Sequence, residues 1–186
     1  MSGSAPCRVW VLGGSASGKT TFAREFSAAA GARHVELDRL YWQENWTPKE
    51  DAAFREELGV LLREPRWVVD GQYAAAVDDF VAEADCVVWL DTPLRVAWPR
   101  LLRRTVTRLV RRQDLWAGNR ESFTSVVGPR SILWFALRLR KPQQEANQRL
   151  FDRLRPGGAV LVRSRTGDPA ALARGLANGV GSSDHG

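Results

Sequence analysis

One segment constrains this chain more than any other: Gly13-Gly14-Ser15-Ala16-Ser17-Gly18-Lys19-Thr20. It matches G-x-x-x-x-G-K-[ST] in full, a pattern with a mechanical reason behind each position. Consecutive backbone N–H groups of a loop of small residues point into one concavity and hold a chain of phosphates. The helix that follows adds its N-terminal dipole. Context agrees with the motif. The β-rich run Arg8-Val9-Trp10-Val11-Leu12 precedes it, and a helical pattern from Lys19 to Ala30 follows, with Phe22, Ala23 and Phe26 on one stripe and Gly31 as the stop. The expected ligands are ATP and Mg²⁺. Gly13, Gly14, Ser15, Ala16, Ser17, Gly18, Lys19, Thr20 and Thr21 cradle the phosphates, Lys19 reaches the β and γ groups, and the Thr20 hydroxyl ligates the metal.

The rest of the chain reads as alternating strands and helices. His34-Val35-Glu36-Leu37 is a second short strand, Trp67-Val68-Val69 a third, Cys86-Val87-Val88-Trp89-Leu90 a fourth and Ala159-Val160-Leu161-Val162 a fifth. Thr47-Pro48-Lys49-Glu50 is a helix start, with Thr47 as cap, Pro48 at the first helical position and Glu50 closing a capping box; that helix should reach about Glu64. A further helix should span about Tyr73 to Glu83. Another begins at Thr92-Pro93 with a kink or delayed start at Pro99, others begin at Pro129 and Pro142, and a last one opens at Asp168-Pro169. The pattern predicts an α/β P-loop fold, a five-stranded parallel sheet with helices on both faces. One domain should cover residues 1–178, with 179–186 as a disordered tail.

The charge is unevenly placed. The chain carries a formal +6, yet residues 1–92 hold 9 Lys/Arg against 15 Asp/Glu, whereas residues 93–141 hold 12 against 2. With 24 Arg and only 3 Lys, a compositional preference explains arginine over lysine but not the missing acids. Arg100, Arg104 and Arg108 share a helix face, widened by Arg103, Arg111 and Arg112, and lead towards Arg120 and Arg130. We expect residues 100–130 to form an arginine-rich lid, mobile without ligand, hinged near Gly118 and Gly128 and closing on phosphates. A solvated basic face and a nucleic-acid surface are the alternatives. No signal peptide and no apolar run long enough to span a bilayer is legible, and Cys7 and Cys86 read as buried free thiols, so the expected setting is cytoplasmic and away from membranes.

Several strand-end residues are candidates for chemistry. Asp70 and Asp91 each follow a strand, and either carboxylate can serve Mg²⁺; Asp70 is preferred because Asp91-Thr92-Pro93 resembles a helix cap. Asp38 can accept a hydroxyl proton, orient a substrate or pair with an arginine. Tyr41, Trp42 and Trp46 form either an aromatic wall for a ring or ordinary packing.

The segments Leu37-Asp38-Arg39-Leu40-Tyr41-Trp42, Trp67-Val68-Val69-Asp70-Gly71-Gln72-Tyr73 and Val88-Trp89-Leu90-Asp91, in this order after the P-loop, resemble the adenylate-kinase-related proteins, and among them the group labelled topology modulation proteins. The likeness spans about residues 8–165. It implies a nucleoside-monophosphate-kinase-like fold, with a substrate-binding region about 38–73 and a lid. It also implies that Asp70 serves the metal, that Gly71 lies against the acceptor and that Arg104 and Arg108 meet adenine and phosphate. Gln72-Tyr73 stands where adenylate kinases carry Phe-Pro-Arg, so the resemblance does not extend to AMP as acceptor. Shikimate and gluconate kinases are cousins that phosphorylate a hydroxyl, which Asp38 would suit. The expected activity is phosphoryl transfer from ATP to a small-molecule acceptor, such as a nucleotide or nucleoside. Lys19, Arg104, Arg108 and Asp38 would be catalytic, Asp38, Gly71 and Gln72 would bind the acceptor, and Thr20 and Asp70 would hold the metal. The rival expectations are a nucleic-acid-associated ATPase and a non-catalytic ATP-binding regulator.

Overall fold

The computed structural model describes residues 7–110, 116–118, 132–165 and 167–179. Five strands form one parallel sheet: β1 (Arg8–Gly13), β2 (Arg33–Glu36), β3 (Trp67–Asp70), β4 (Cys86–Leu90) and β5 (Val160–Ser164), in spatial order β2-β3-β1-β4-β5. The central β1 pairs with β3 from Arg8↔Trp67 to Val11↔Asp70, and with β4 from Val9↔Cys86 to Gly13↔Leu90. The chain therefore leaves β1 towards one edge, returns through β3, and crosses to the other side at β4. That reversal at the carboxyl end of β1 is where open parallel sheets leave a crevice for ligands.

Strands buried on both faces must be apolar throughout, and β1, β3 and β4 are. One face of the sheet carries Trp10, Leu12, Trp67, Val69, Val87 and Trp89, and packs against Phe54 and Leu58 of α3 (Asp51–Leu61), Val77 and Val81 of α4 (Ala74–Val81), and Phe151 and Leu154 of α6 (Ile132–Leu154). The other carries Val9, Val11, Val68, Cys86 and Val88, under Phe22 and Phe26 of α1 (Lys19–Ala30) and Ala173 and Leu176 of α7 (Pro169–Ala177). Trp10, Trp67, Phe22, Phe26 and Phe54 are completely buried. Truncating any of them to Ala would cost about 3–5 kcal/mol. Two helix ends follow their sequence signals. Gly31 (φ 63°) closes α1 with its N–H on the Ser27 carbonyl, and Asp168 caps α7 by accepting from the Ala170 N–H, with Pro169 in the first turn.

Four expectations need correction. Leu37 and Asp38 belong to the short helix α2 (Leu37–Tyr41), not to the end of β2. Thr47 does not cap a helix. Trp42 and Pro48 form an antiparallel bridge, with Gln43 N–H on the Thr47 carbonyl and Lys49 N–H on that of Tyr41, so the backbone there is already committed and α3 begins only at Asp51. The helix also ends at Leu61, short of Glu64. Pro142 lies inside α6 and does not start a helix, whereas Pro99 lies within α5 (Leu94–Val110), where it was expected, and does not delay its start. Both prolines are exposed. The expected irregular segment 113–128 and the helix start at Pro129 lie outside the described residues, apart from the single 3-10 turn Trp116–Gly118.

Candidate functional site

The loop leaving β1 folds back on itself, with the Ser17 N–H donating to the Gly14 carbonyl. At Gly13 (φ 152°) an added Cβ would lie 2.6 Å from Ser17 Oγ and 2.7 Å from the Leu90 carbonyl, so only glycine lets β1 turn this tightly beside β4. The Lys19 ammonium lies across the loop and donates to the carbonyls of Gly13 (2.8 Å) and Gly14 (3.0 Å). Burial pulls its pKa below the ordinary lysine value; the charges of Asp70 and Asp38 oppose that shift, and Arg104 adds to it. Asp70, Asp38 and Arg104 are therefore each close enough to act on Lys19 electrostatically. Thr20 is exposed at the start of α1, and Thr21 is half-buried behind it.

The two rival aspartates differ sharply. Asp91 is saturated: Oδ1 accepts from Gln144 (2.8 Å), and Oδ2 from Arg163 (2.8 Å) and Arg165 (3.1 Å). Burial alone would raise its pKa, but those hydrogen bonds and the Arg163 charge outweigh burial and hold it below the usual carboxylate range. Asp70, only 4% exposed at the end of β3, has its Oδ2 buried with no hydrogen-bond partner among the described residues. Within 4.0 Å it meets His34 Nε2, itself buried and without a hydrogen-bond partner among the described residues, on a ring whose pKa is lowered chiefly by burial. A carboxylate oxygen orphaned beside a phosphate-type loop suits a metal shell.

Asp38 Oδ1 accepts from the Tyr73 hydroxyl at 2.6 Å, and Tyr73 is held protonated first by burial and then by the Asp38 charge. Tyr41 packs between Trp42, Phe54 and Tyr73, with ring centroids 5.2, 5.4 and 4.4 Å away, while Trp46 is exposed beside Trp42. The aromatic cluster thus braces α2 and α3 against the residues following β3. Gly71 (φ 136°) accepts from Trp10 Nε1 at 3.0 Å, and an added Cβ would meet Leu37 Cβ at 2.9 Å. Gln72 turns its Oε1 to the Gly13 N–H at 3.1 Å and so braces the first turn of the loop.

Of the arginine stripe, Arg100, Arg103 and Arg104 are exposed and Arg108 is half-buried, because α5 packs through Ala97, Leu101 and Thr105. Arg111, Arg112, Arg120 and Arg130 lie outside the described residues, and with them most of the expected lid. Arg140 and Gln143 of α6 were not singled out in the sequence, yet both border the loop at Gly14 and Ser15; Arg140 donates to the Thr92 carbonyl, and Thr92 Oγ1 donates to that of Ser17. The signal for Arg140 was its place in the acid-poor segment 93–141. Gln143 had none. Cys86 is buried and its thiol is pushed up to about 12 by burial, whereas Cys7 is half-buried; both are free. Among the described residues no cluster of three or more His, Cys, Asp or Glu could hold a metal ion, and no helix is long and apolar enough to cross a membrane.

No protein-family model matches the chain, and neither does any curated protein. Solved structures do. A gluconokinase from Sinorhizobium meliloti 1021 aligns over 96% of this chain and 93% of its own, with a TM-score of 0.52 and 20% identity. A shikimate kinase from Acinetobacter baumannii, in complex with shikimate, aligns over 91% and 90%, with a TM-score of 0.47 and 16% identity. The α/β fold with its five-stranded parallel sheet is thus one that this gluconokinase also uses.

Proposed function

We propose that this chain is a kinase that transfers a phosphoryl group from ATP to a small-molecule acceptor. The observation that carries the reading is the convergence at the end of β1 and β3. A complete P-loop lies there with Lys19 across it, within electrostatic reach of an Asp70 whose buried carboxylate oxygen has no hydrogen-bond partner among the described residues. The fold shared with the gluconokinase supports transfer to a small molecule over the nucleic-acid alternative.

Each residue has a role in that reading. The loop N–H groups and Lys19 hold phosphate oxygens, Thr20 and Asp70 hold Mg²⁺, and Arg104 and Arg108 offset charge at the transferring group. ATP supplies the phosphoryl group and Mg²⁺ neutralises its charge. Asp38 takes the acceptor's hydroxyl proton through its second oxygen, oriented by Tyr73, while Gly71 lies against the acceptor. Catalysis is then mostly positioning and fixed charge.

Two variants test this. Lys19→Ala should lose ATP binding by calorimetry while keeping its fold by circular dichroism. Asp70→Asn should lower turnover about 100-fold or more with ATP affinity changed only a few-fold, because a metal-shell carboxylate acts mainly on the transferring group. Unaltered ATP binding and turnover in Lys19→Ala would sink the kinase reading; the Asp70 pattern appearing in Asp91→Asn would reassign the metal.

A further inference from the structure

A groove of about 540 Å³ opens on the sheet face covered by α4 and α6, within the size range of small-molecule sites. It begins at the P-loop. Leu12 in its floor immediately precedes Gly13, Gln72 in its wall holds the Gly13 N–H, and Gln143 reaches to within van der Waals distance of where a Gly14 Cβ would sit. Its chemistry changes along its length. Near the loop it presents the amides of Gln72, Gln143 and Asn147. Its walls are otherwise apolar, from Val77 and Val81 on α4 and Leu139, Ala146 and Leu150 on α6. Beyond them come Arg149 and the Asp78–Arg153 ion pair at 2.9 Å. Arg149 is exposed and forms no ion pair among the described residues, so a guanidinium is available at this end.

Such a lining discriminates between acceptors. Each hydroxyl of a sugar acid buried against Val77, Val81 and Leu150 would lose water without gaining a partner, costing about 1–3 kcal/mol apiece. An apolar body gains from the same walls. Along α6, the six steps from Gln143 to Arg149 span about 9 Å at 1.5 Å per residue. Resting on the kinase reading above, we infer that the acceptor is an amphipathic hydroxy acid. Its hydroxyl lies at the Gln72–Gln143 end, an apolar body of about 9 Å fills the groove, and its anionic group meets Arg149.

The test uses the whole chain and three probes: ω-hydroxyoctanoate, octanediol, which lacks the acid, and gluconate, a sugar acid. Binding is read by calorimetry without turnover, and transfer by labelled ATP. The hydroxy acid should bind and be phosphorylated at least tenfold better, by kcat/KM, than either comparator. Arg149→Gln, on the exposed rim, should raise KM for the hydroxy acid about tenfold, leave kcat and the diol nearly unchanged, and keep the fold. Ala146→Phe should block the groove while ATP affinity stays as in the parent. Preference for gluconate, no binding of the hydroxy acid, or indifference to both variants overturns this inference and leaves the kinase reading standing. Groove binding that both variants weaken, with no transfer to any acceptor, overturns the kinase reading and the acceptor role with it.

Discussion

Asp70 and Asp91 are both buried carboxylates at strand ends, and their sequence contexts are nearly equivalent. What separates them is partners contributed from far along the chain, since Gln144, Arg163 and Arg165 all lie more than fifty residues from Asp91. Asp91 is a structural hub joining β4, β5 and α6, with Arg163 also stacked 4.0 Å over Trp89. Asp91→Asn should therefore lower stability by about 1–3 kcal/mol at neutral pH, where the charged form is preferred. Because the folded pKa of Asp91 is depressed, its contribution is present above the unfolded aspartate pKa and is lost as pH falls through the folded value. Denaturant melts of wild type and variant should accordingly converge on acidification below about pH 4; a gap that stays constant there would deny the ionic origin. Tyr73→Phe probes the other carboxylate. It removes the donor to Asp38 without changing ring packing against Tyr41 and Phe54, so turnover should fall about tenfold while ATP affinity holds. Equal turnover in steady-state kinetics would mean that Asp38 does no proton work that Tyr73 orients.

At the scale of elements, the strands were legible because burial on both faces leaves a mark that position alone reveals: Val9-Trp10-Val11-Leu12 and Cys86-Val87-Val88-Trp89-Leu90 are apolar without interruption. The helix at Thr47 was misread for the opposite reason. A capping box is a local preference worth about 1 kcal/mol, and the Trp42–Pro48 bridge, a tertiary pairing, overrides it. The P-loop was legible as a motif, but its bracing was not. Nothing in the sequence tells that Gln72 would hold Gly13, or that α6 would lay Arg140 and Gln143 beside Gly14. Gly71 sits between these cases, foreseen for its place after β3 and constrained by its crowding. Gly71→Ala forces a left-handed φ on alanine and drives its Cβ into Leu37 Cβ, so α2 must shift away from β3. A stability loss of about 1–3 kcal/mol, with turnover reduced further than stability alone explains, is expected from thermal melts and kinetics run side by side. A neutral variant would show that α2 yields without disturbing Asp38.

For the whole molecule, the uneven charge and the site pull in different directions, and one experiment separates them. Residues 93–141 carry a net +10 against a formal +6 for the whole chain, and Arg100 and Arg103 are exposed on α5. Any polyanion will find that surface. The P-loop, by contrast, is built from the ends of β1, β3 and β4 and the start of α1, so a ligand seated there ties the central strands together and must stabilise the folded chain as a unit. At a free concentration one hundred times Kd, binding adds about 2.7 kcal/mol. In a domain of this size, that corresponds to a rise in Tm of roughly 5–10 °C. A non-hydrolysable ATP analogue with Mg²⁺ should produce this shift in wild type and not in Lys19→Ala. It should also persist at moderate salt, because partly buried loop contacts are screened less than exposed charges. Duplex DNA acting through the exposed arginines should stabilise both proteins equally, with an effect that falls away steeply as salt rises. If the analogue fails to shift wild type while DNA shifts it strongly and salt-sensitively, the arginine face is the functional surface and the kinase assignment is wrong.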